Sequence, residues 1–430
     1  MKKQIHIGIA GLGTVGSGVV EVLQKNQALL AARSGVELQV SAVSARNKNQ
    51  QRAVSLDGLR WVDNAVDLAK DPAIDLVVEV IGGSEGIAHE VCETALKHKK
   101  HVVTANKALI AHHGVKLAQL AEDNGVKLTF EAAVAGGIPI VKSLKEGLAA
   151  NRIQRVCGIM NGTCNYILTS MLSTGRDFSE VLKEAQDLGY AEADPSFDID
   201  GIDTAHKLAI LTSLAYGTPV NIDNMYIEGI RHITLSDIIH AEELGYKIKL
   251  LGICDETEHG IEQRVHPCMV PADTPIASVD GVFNAVFVEG DFVGKTMFEG
   301  PGAGMGATAS AVVADIVDIA SGRASHPFNV PVKSLSPKPF APISERKGEY
   351  YIRLAVLDKP GVMADITAIL RDEQISLEAV QQKAHKPDEP VDLVLVTHET
   401  PESAMKRALD AIGALPTVTK MPYTIRIEIL

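Results

Sequence analysis

An apolar run beginning near Gln4 closes in GIAGLGTVGSGVV, residues 8–20, setting Gly11, Gly13 and Gly16 in Gly-x-Gly-x-x-Gly spacing ahead of a helix-periodic stretch, VVEVLQKNQALL. That order fits a strand turning tightly into a helix beneath a dinucleotide. Gly11 permits the turn, Gly13 lets backbone N–H groups approach a pyrophosphate, and Gly16 lets the helix pack on the strand. The positive end of the helix favours the anion. Gly11, Leu12, Gly13, Thr14, Val15 and Gly16 are therefore the candidate cofactor loop. A structural glycine turn has the same letters; the flanking strand and helix patterns point to a nucleotide.

The rhythm continues to about residue 135. Strand patterns at VELQVSAVS, DLVVEVIGG, HVVTANK and VKLTFEAA alternate with helical ones, which implies a doubly wound parallel sheet with its ligands outside the carboxyl ends of the strands. An apolar content of 46% with only 4% aromatic residues suits buried Ala/Val/Ile/Leu strands between helices. After the second strand, where an NAD-preferring fold carries an acidic residue, stand Ser44, Ala45, Arg46, Asn47 and Lys48. Arg46, with Lys48 beside it, suits a 2′-phosphate, so NADP is favoured over NAD; a solvated loop is the plain alternative.

From 136 to 325 the pattern becomes α+β with a mostly antiparallel sheet, forming a substrate and dimerisation domain. The glycine-rich stretch EGPGAGMGA then opens a helix to about Ser321, which completes the nucleotide domain as 303–321. It lacks the Lys-Ser/Thr of a phosphate-binding P-loop. Pro327, Pro331, Pro337, Pro339 and Pro342 make 326–347 a stiff linker. Residues 348–430 read βαββαβ, a ferredoxin-like module.

A formal charge of −13 offers no basic footprint for nucleic acid or an anionic membrane. No apolar run reaches the roughly 20 residues needed to span a bilayer. The cysteines Cys92, Cys157, Cys164, Cys254 and Cys268 are dispersed and never form Cys-x-x-Cys, which fits a reducing cytoplasm. Small molecules and further copies of the chain, as a homodimer or homotetramer, are the expected partners.

Acidic residues crowd GYAEADPSFDIDGIDTAHKLAIL, residues 189–211. An EF-hand fails, because Lys207 stands where the bidentate Glu is required. A solvated helix start is the plain reading of the acids. Asp203 and Lys207, however, lie four apart on one helical face among Ile202, Ala205, Leu208 and Ile210, and a buried pair of that kind suits proton transfer. Lys107 ends the strand pattern HVVTANK at the carboxyl edge, where a lone lysine is otherwise a solvent charge. Asn161, Gly162 and Thr163 could cap a helix while offering donors to a carboxylate. His112 with His113, and His266 with Cys268, lack a full ligand set for a transition metal.

TANKAL, GIMNGTCNYIL, the 189–211 segment and EGPGAG, behind the N-terminal glycine motif, together resemble homoserine dehydrogenase over about residues 4–325. LAVLDKPGVMADITAIL and ISLEAV resemble an ACT domain. The resemblance implies NAD(P)-dependent interconversion of L-homoserine and L-aspartate 4-semialdehyde, in the branch leading to threonine, methionine and isoleucine. It further implies that Lys207 is the proton donor, with Lys107 a second active-site lysine. Glu192, Asp198 and Asp203 lie around the substrate's amino and hydroxyl groups, with Asn161, Gly162 and Thr163 beside it. Thr104, Lys107 and Gly302 join the cofactor contacts. Glu131, Val134, Gly136 and Ile138 match a monovalent-cation site, usually sodium, for which an ordinary strand-to-helix turn is the alternative. The ACT resemblance implies threonine as effector near Asp358, Pro360 and Gly361. Two rivals remain: aspartate-semialdehyde dehydrogenase, with Cys164 as its nucleophile, and a non-enzymatic amino-acid-responsive regulator.

Overall fold

The computed structural model describes residues 4–52, 54–382 and 390–430. The chain opens with β1 (Gln4–Ala10), α1 (Thr14–Lys25), α2 (Gln27–Ser34), β2 (Glu37–Ser44), β3 (Arg60–Trp61) and α3 (Ala65–Lys70). It continues with β4 (Leu76–Glu79), α4 (Ile87–Lys97), β5 (His101–Thr104), α5 (Lys107–Asp123) and β6 (Leu128–Thr129). Its strands pair in parallel in the order β3-β2-β1-β4-β5-β6. This is the dinucleotide-binding order, and its direction reverses between β1 and β4, so a ligand crevice opens at those carboxyl ends. Ile7, Ile9, Val77, Val78, Val102 and Val103 are buried, as strands sandwiched between helices require.

Next come α6 (Ile140–Lys142), β7 (Ile153–Ile159), α7 (Gly162–Thr174), α8 (Phe178–Asp187), α9 (Ser196–Ile199) and α10 (Ile202–Tyr216). β8 (Tyr226–Ile227), α11 (Leu235–Glu243), β9 (Tyr246–Thr257), β10 (Gly260–Pro271), β11 (Phe283–Gly290), β12 (Gly294–Pro301) and α12 (Met305–Ser321) follow. β12, β11, β7, β9 and β10 form antiparallel neighbours in that order. Leu208 and Leu211 of α10 and Ile167 of α7 pack into the same core as Val156, Leu250 and Cys254 of that sheet. α12 returns to the first sheet, where Ala309, Val312 and Ile316 share a core with Ile7, Val19 and Leu76. The contact is close enough that a Cβ on Gly18 of α1 would meet Met305 at 2.8 Å.

β13 (Lys347–Leu357), α13 (Val362–Asp372), β14 (Leu377–Gln382), β15 (Pro390–Thr397), β16 (Thr400–Pro401), α14 (Glu402–Gly413) and β17 (Tyr423–Ile427) complete the chain, with sheet order β17-β13-β15-β14. The strand expected at ISLEAVQQKA appears as β14, and its last two residues lie outside the described ones. The expected final strand is broken: Thr417 and Thr419 hydrogen-bond to the end of β13, and regular pairing resumes only at Tyr423, after Pro422, which has no N–H to give the ladder.

The C-terminal unit is less separate than a linker implies. β17 pairs in parallel with β10, Cys268 opposite Arg426 and Met269 opposite Ile427, so both antiparallel regions join one eleven-stranded sheet. The proline-rich segment itself is stitched to β10: Ile261 N–H donates to Pro339 O at 2.9 Å and Ala341 N–H to Ile261 O at 2.8 Å. Proline removes donors from a segment but leaves its carbonyls to accept. Buried charges lock the seam. Arg264 meets Glu262 at 2.6 Å, Asp255 at 3.0 Å and Glu428 at 3.2 Å, and Arg346 meets Glu428 at 2.9 Å. Among the described residues no helix is long and apolar enough to cross a membrane.

Candidate active site

The glycine loop has the geometry its spacing implies. Gly11 takes φ +107°, and a Cβ there would lie 2.6 Å from Val80 O; a Cβ on Gly16 would lie 1.9 Å from Gly11 O. Gly13 faces open space and caps α1 without a side-chain hydrogen bond, leaving the first amides of the helix, from Thr14 and Val15 onward, for an anion. Leu12 is buried and offers its carbonyl to Ser17 and to Arg52. Arg52 was not singled out in the sequence. Its guanidinium also bonds the carbonyls of Asn47 and Gln50, at 2.6 and 2.8 Å, and lies over the Trp61 ring, folding the loop after β2 against the glycine turn. Arg46 is exposed on that loop.

At the end of β5, Thr104 turns its hydroxyl to the buried carboxylate of Glu79 at 2.6 Å. Glu79 in turn accepts the Ile81 N–H at 2.7 Å, and burial raises its pKa. Lys107 is the first residue of α5 and not the last of a strand, because Asn106 caps that helix by accepting the Leu109 N–H. The cap also ties down the loop after β4, donating to Gly83 O at 2.6 Å.

Asp203 is 4% and Lys207 8% exposed, so neither is the solvated charge of a plain helix start. Asp203 divides its carboxylate: Oδ1 lies 3.0 Å from Nζ of Lys107 and Oδ2 lies 2.7 Å from Nζ of Lys207. Lys207 also donates to Met160 O at 2.6 Å. Asn161 donates to Asp203 and to Asp198, both at 2.8 Å, while its carbonyl oxygen caps α7 by accepting from Cys164 N–H. One asparagine thus serves as cap and as bridge between two carboxylates. Burial opposes ionisation of Asp203, but Lys207 and Lys107 together hold its carboxyl well below the usual range. Burial is the largest single influence on Lys107 and lowers its pKa, but the charge and hydrogen bond of Asp203, with the charges of Asp198 and Glu192, together raise it. Burial, with Asp203 nearby, raises Asp198.

Gly162 opens α7, and Thr163 beside it donates to Tyr190 O at 2.7 Å. Glu192 is exposed on the loop before α9, close enough for its charge to support the Lys107 ammonium. Two aromatic neighbours had no sequence signal: Phe197, whose ring lies 5.5 Å from Nζ of Lys107, and His206, whose pKa burial and the adjacent His112 and Lys107 push down to about 4. Cys164 is buried, its thiol is pushed well above the usual range by burial, and it donates to Asp198 O at 3.3 Å. It is thus unsuited to be the thiolate nucleophile of an acylating dehydrogenase.

Glu131, Val134, Gly136 and Ile138 lie on the loop leaving β6, with Ala135 and Gly136 both left-handed at φ +54° and +49°. Gly302 sits against this loop; a Cβ on Gly136 would lie 2.4 Å from Gly302 O. Glu131 accepts the Val141 and Lys142 N–H groups at 3.0 and 2.8 Å. Burial beside Asp315 pushes its carboxyl up to about 8. Asp358, Pro360 and Gly361 fall elsewhere, on the turn from β13 into α13.

A parallel sheet in dinucleotide-binding order, with a glycine loop at one carboxyl end and a lysine–carboxylate cluster beyond its neighbours, defines an NAD(P)-dependent oxidoreductase. Residues 11–131 match the family described as homoserine dehydrogenase, NAD binding domain; residues 139–317 match homoserine dehydrogenase, and 350–416 the ACT domain. A homoserine dehydrogenase of Pseudomonas aeruginosa is 47% identical over 99% of both chains. The crystal structure of a homoserine dehydrogenase from Thiobacillus denitrificans superposes with a TM-score of 0.94 at 48% identity, over 99% of both chains. A hyperthermophilic archaeal homoserine dehydrogenase in complex with NADPH matches 75% of this chain and 99% of its own at 28% identity and TM-score 0.65. The chain belongs to the homoserine dehydrogenase family.

Proposed function

We propose that the chain reduces L-aspartate 4-semialdehyde to L-homoserine, and catalyses the reverse, with NADP preferred and threonine as regulator. The observation that carries this reading is the sharing of one buried carboxylate, Asp203, between Lys107 and Lys207. When bound, the nicotinamide supplies the hydride for the aldehyde carbon. Lys207 protonates the developing alkoxide, directly or through water, and Lys107 adds positive charge beside that oxygen. Asp203 is the positioning residue for both. Glu192 binds the substrate ammonium, and Asp198, Asn161, Gly162 and Thr163 line the substrate.

Gly11 to Gly16, Thr104, Lys107 and Gly302 border the cofactor. Arg46 receives the 2′-phosphate, a reading supported by the loop that Arg52 gathers after β2 and by the archaeal relative whose complex is with NADPH. The buried carboxylate of Glu131 and the left-handed turn at Ala135 and Gly136, which redirects backbone carbonyls, fit a sodium ion held by Glu131, Val134, Gly136 and Ile138. Threonine binds near Asp358, Pro360 and Gly361 where C-terminal modules of two copies pair, in a homodimer or homotetramer working in the cytoplasm. Homoserine-dependent reduction of NADP and of NAD, followed by absorbance with and without threonine, tests the reading. Failure of both cofactors with homoserine contradicts it.

A further inference from the structure

Beside the reaction site, three side chains that the chemistry does not use converge from separate elements. Glu85 lies on the loop after β4, His89 on the first turn of α4 and His113 on the second turn of α5. In sequence His113 lacks a ligand set; the fold supplies one. Ligand atoms of the three residues all lie within 4.8 Å of one another. The His89 and His113 rings stack at 4.3 Å between centroids, and Nε2 of His113 lies 2.6 Å from Oε1 of Glu85. Glu85 is exposed and both histidines are half-buried, so an ion can reach them from solvent.

We infer that Glu85, His89 and His113 form a binding site for a divalent transition-metal ion of the zinc type, with solvent as the fourth ligand. Two imidazoles and a carboxylate with one open position are a zinc donor set. Tetrahedral bonds of about 2.0–2.1 Å place donor atoms about 3.3 Å apart, so Glu85 and His113 must separate by under ~1 Å as the ion replaces the proton between them, and the near-parallel His89 and His113 rings must rotate until a nitrogen of each faces the ion. Glu93, four residues beyond His89 on α4, is within electrostatic reach of His89 and is itself paired with Lys97 at 2.9 Å. A second trio, His266, Cys268 and Glu428, is comparably spaced but sits among Arg264, Arg346 and Arg426, whose charges oppose a cation. The ion would clamp the loop after β4 to α5, the helix that begins with Lys107. Tilted and edge-to-face rings already connect the two places, His113 to His112 at 6.5 Å, His112 to His206 at 5.2 Å and His206 to Phe197 at 5.4 Å.

The test is calorimetric titration of the full chain with zinc chloride in a non-chelating buffer near neutral pH, alongside His89→Ala, His113→Ala and, as a surface control, His259→Ala. One equivalent should bind to the wild type and to the control, at least ~10-fold more weakly in the first two variants, and zinc should raise the wild-type melting temperature. Cobalt substituted into the wild type should give the visible absorption of a tetrahedral site, a readout independent of any variant's folding. No binding by the wild type, or equal binding by all variants, overturns the assignment.

Discussion

Oδ2 of Asp203 lies 2.7 Å from Nζ of Lys207, one turn further along α10. The spacing of four residues brings the pair onto one helical face, and the apolar residues around it remove the water that would otherwise screen it. Because the other oxygen of the same carboxylate reaches Lys107 on α5, the cluster spans the nucleotide sheet and the antiparallel region. The packing of α5 against α10 therefore assembles the cluster.

Replacing Asp203 by Asn removes the charge that raises the Lys107 pKa, and desolvation then lowers it. A lysine that must be protonated loses that state at lower pH in the variant. The alkaline limb of the kcat/KM profile for semialdehyde reduction should move to lower pH, with turnover down ~100-fold or more. An unmoved limb at near-normal turnover contradicts the coupling.

Glu131 carries its linkage in the opposite sense to the usual acid. Its carboxyl stands at about 8 against an ordinary 4.5, so the folded state holds a proton that the unfolded chain releases between those values. Its contribution to stability is full at the acid end of that window and is lost as pH rises through it. Melting temperatures measured in sodium-free buffer near pH 6 and near pH 9 should fall less steeply in Glu131→Gln than in the wild type. Added sodium should restore the wild type more at the higher pH; identical slopes with no sodium effect contradict this reading.

Much of this was legible from local pattern. Gly11 and Gly16 announce the first crossover because only glycine tolerates those approaches, Gly13 between them leaves open space for a ligand, and the four-residue interval from Asp203 to Lys207 announces a shared face. Asn106 shows where pattern stops short: TANK reads as the end of a strand, yet its asparagine caps α5 and makes Lys107 the first helical residue. The illegible remainder is nonlocal. Arg52 reaches Leu12, Phe197 lies beside Lys107, and β17 chooses β10 as its neighbour through pairings that no short-range periodicity encodes.

The seam between β10 and β17 should report on regulation. Glu428 is shared by the buried Arg264 and Arg346, so Glu428→Ala leaves two guanidiniums short of a partner and should cost about 3 kcal/mol, read by denaturant unfolding. If threonine acts through the C-terminal unit, the same variant should lose threonine inhibition while retaining homoserine oxidation. Full threonine sensitivity with unchanged stability contradicts the coupling.

The central claim is that Lys207 delivers the proton. The direct measurement is steady-state turnover of Lys207→Ala beside fluorescence titration with NADPH. Turnover should fall by ~10²–10⁴ while NADPH affinity stays within about twofold of the wild type. Near-normal turnover in that variant would contradict the account.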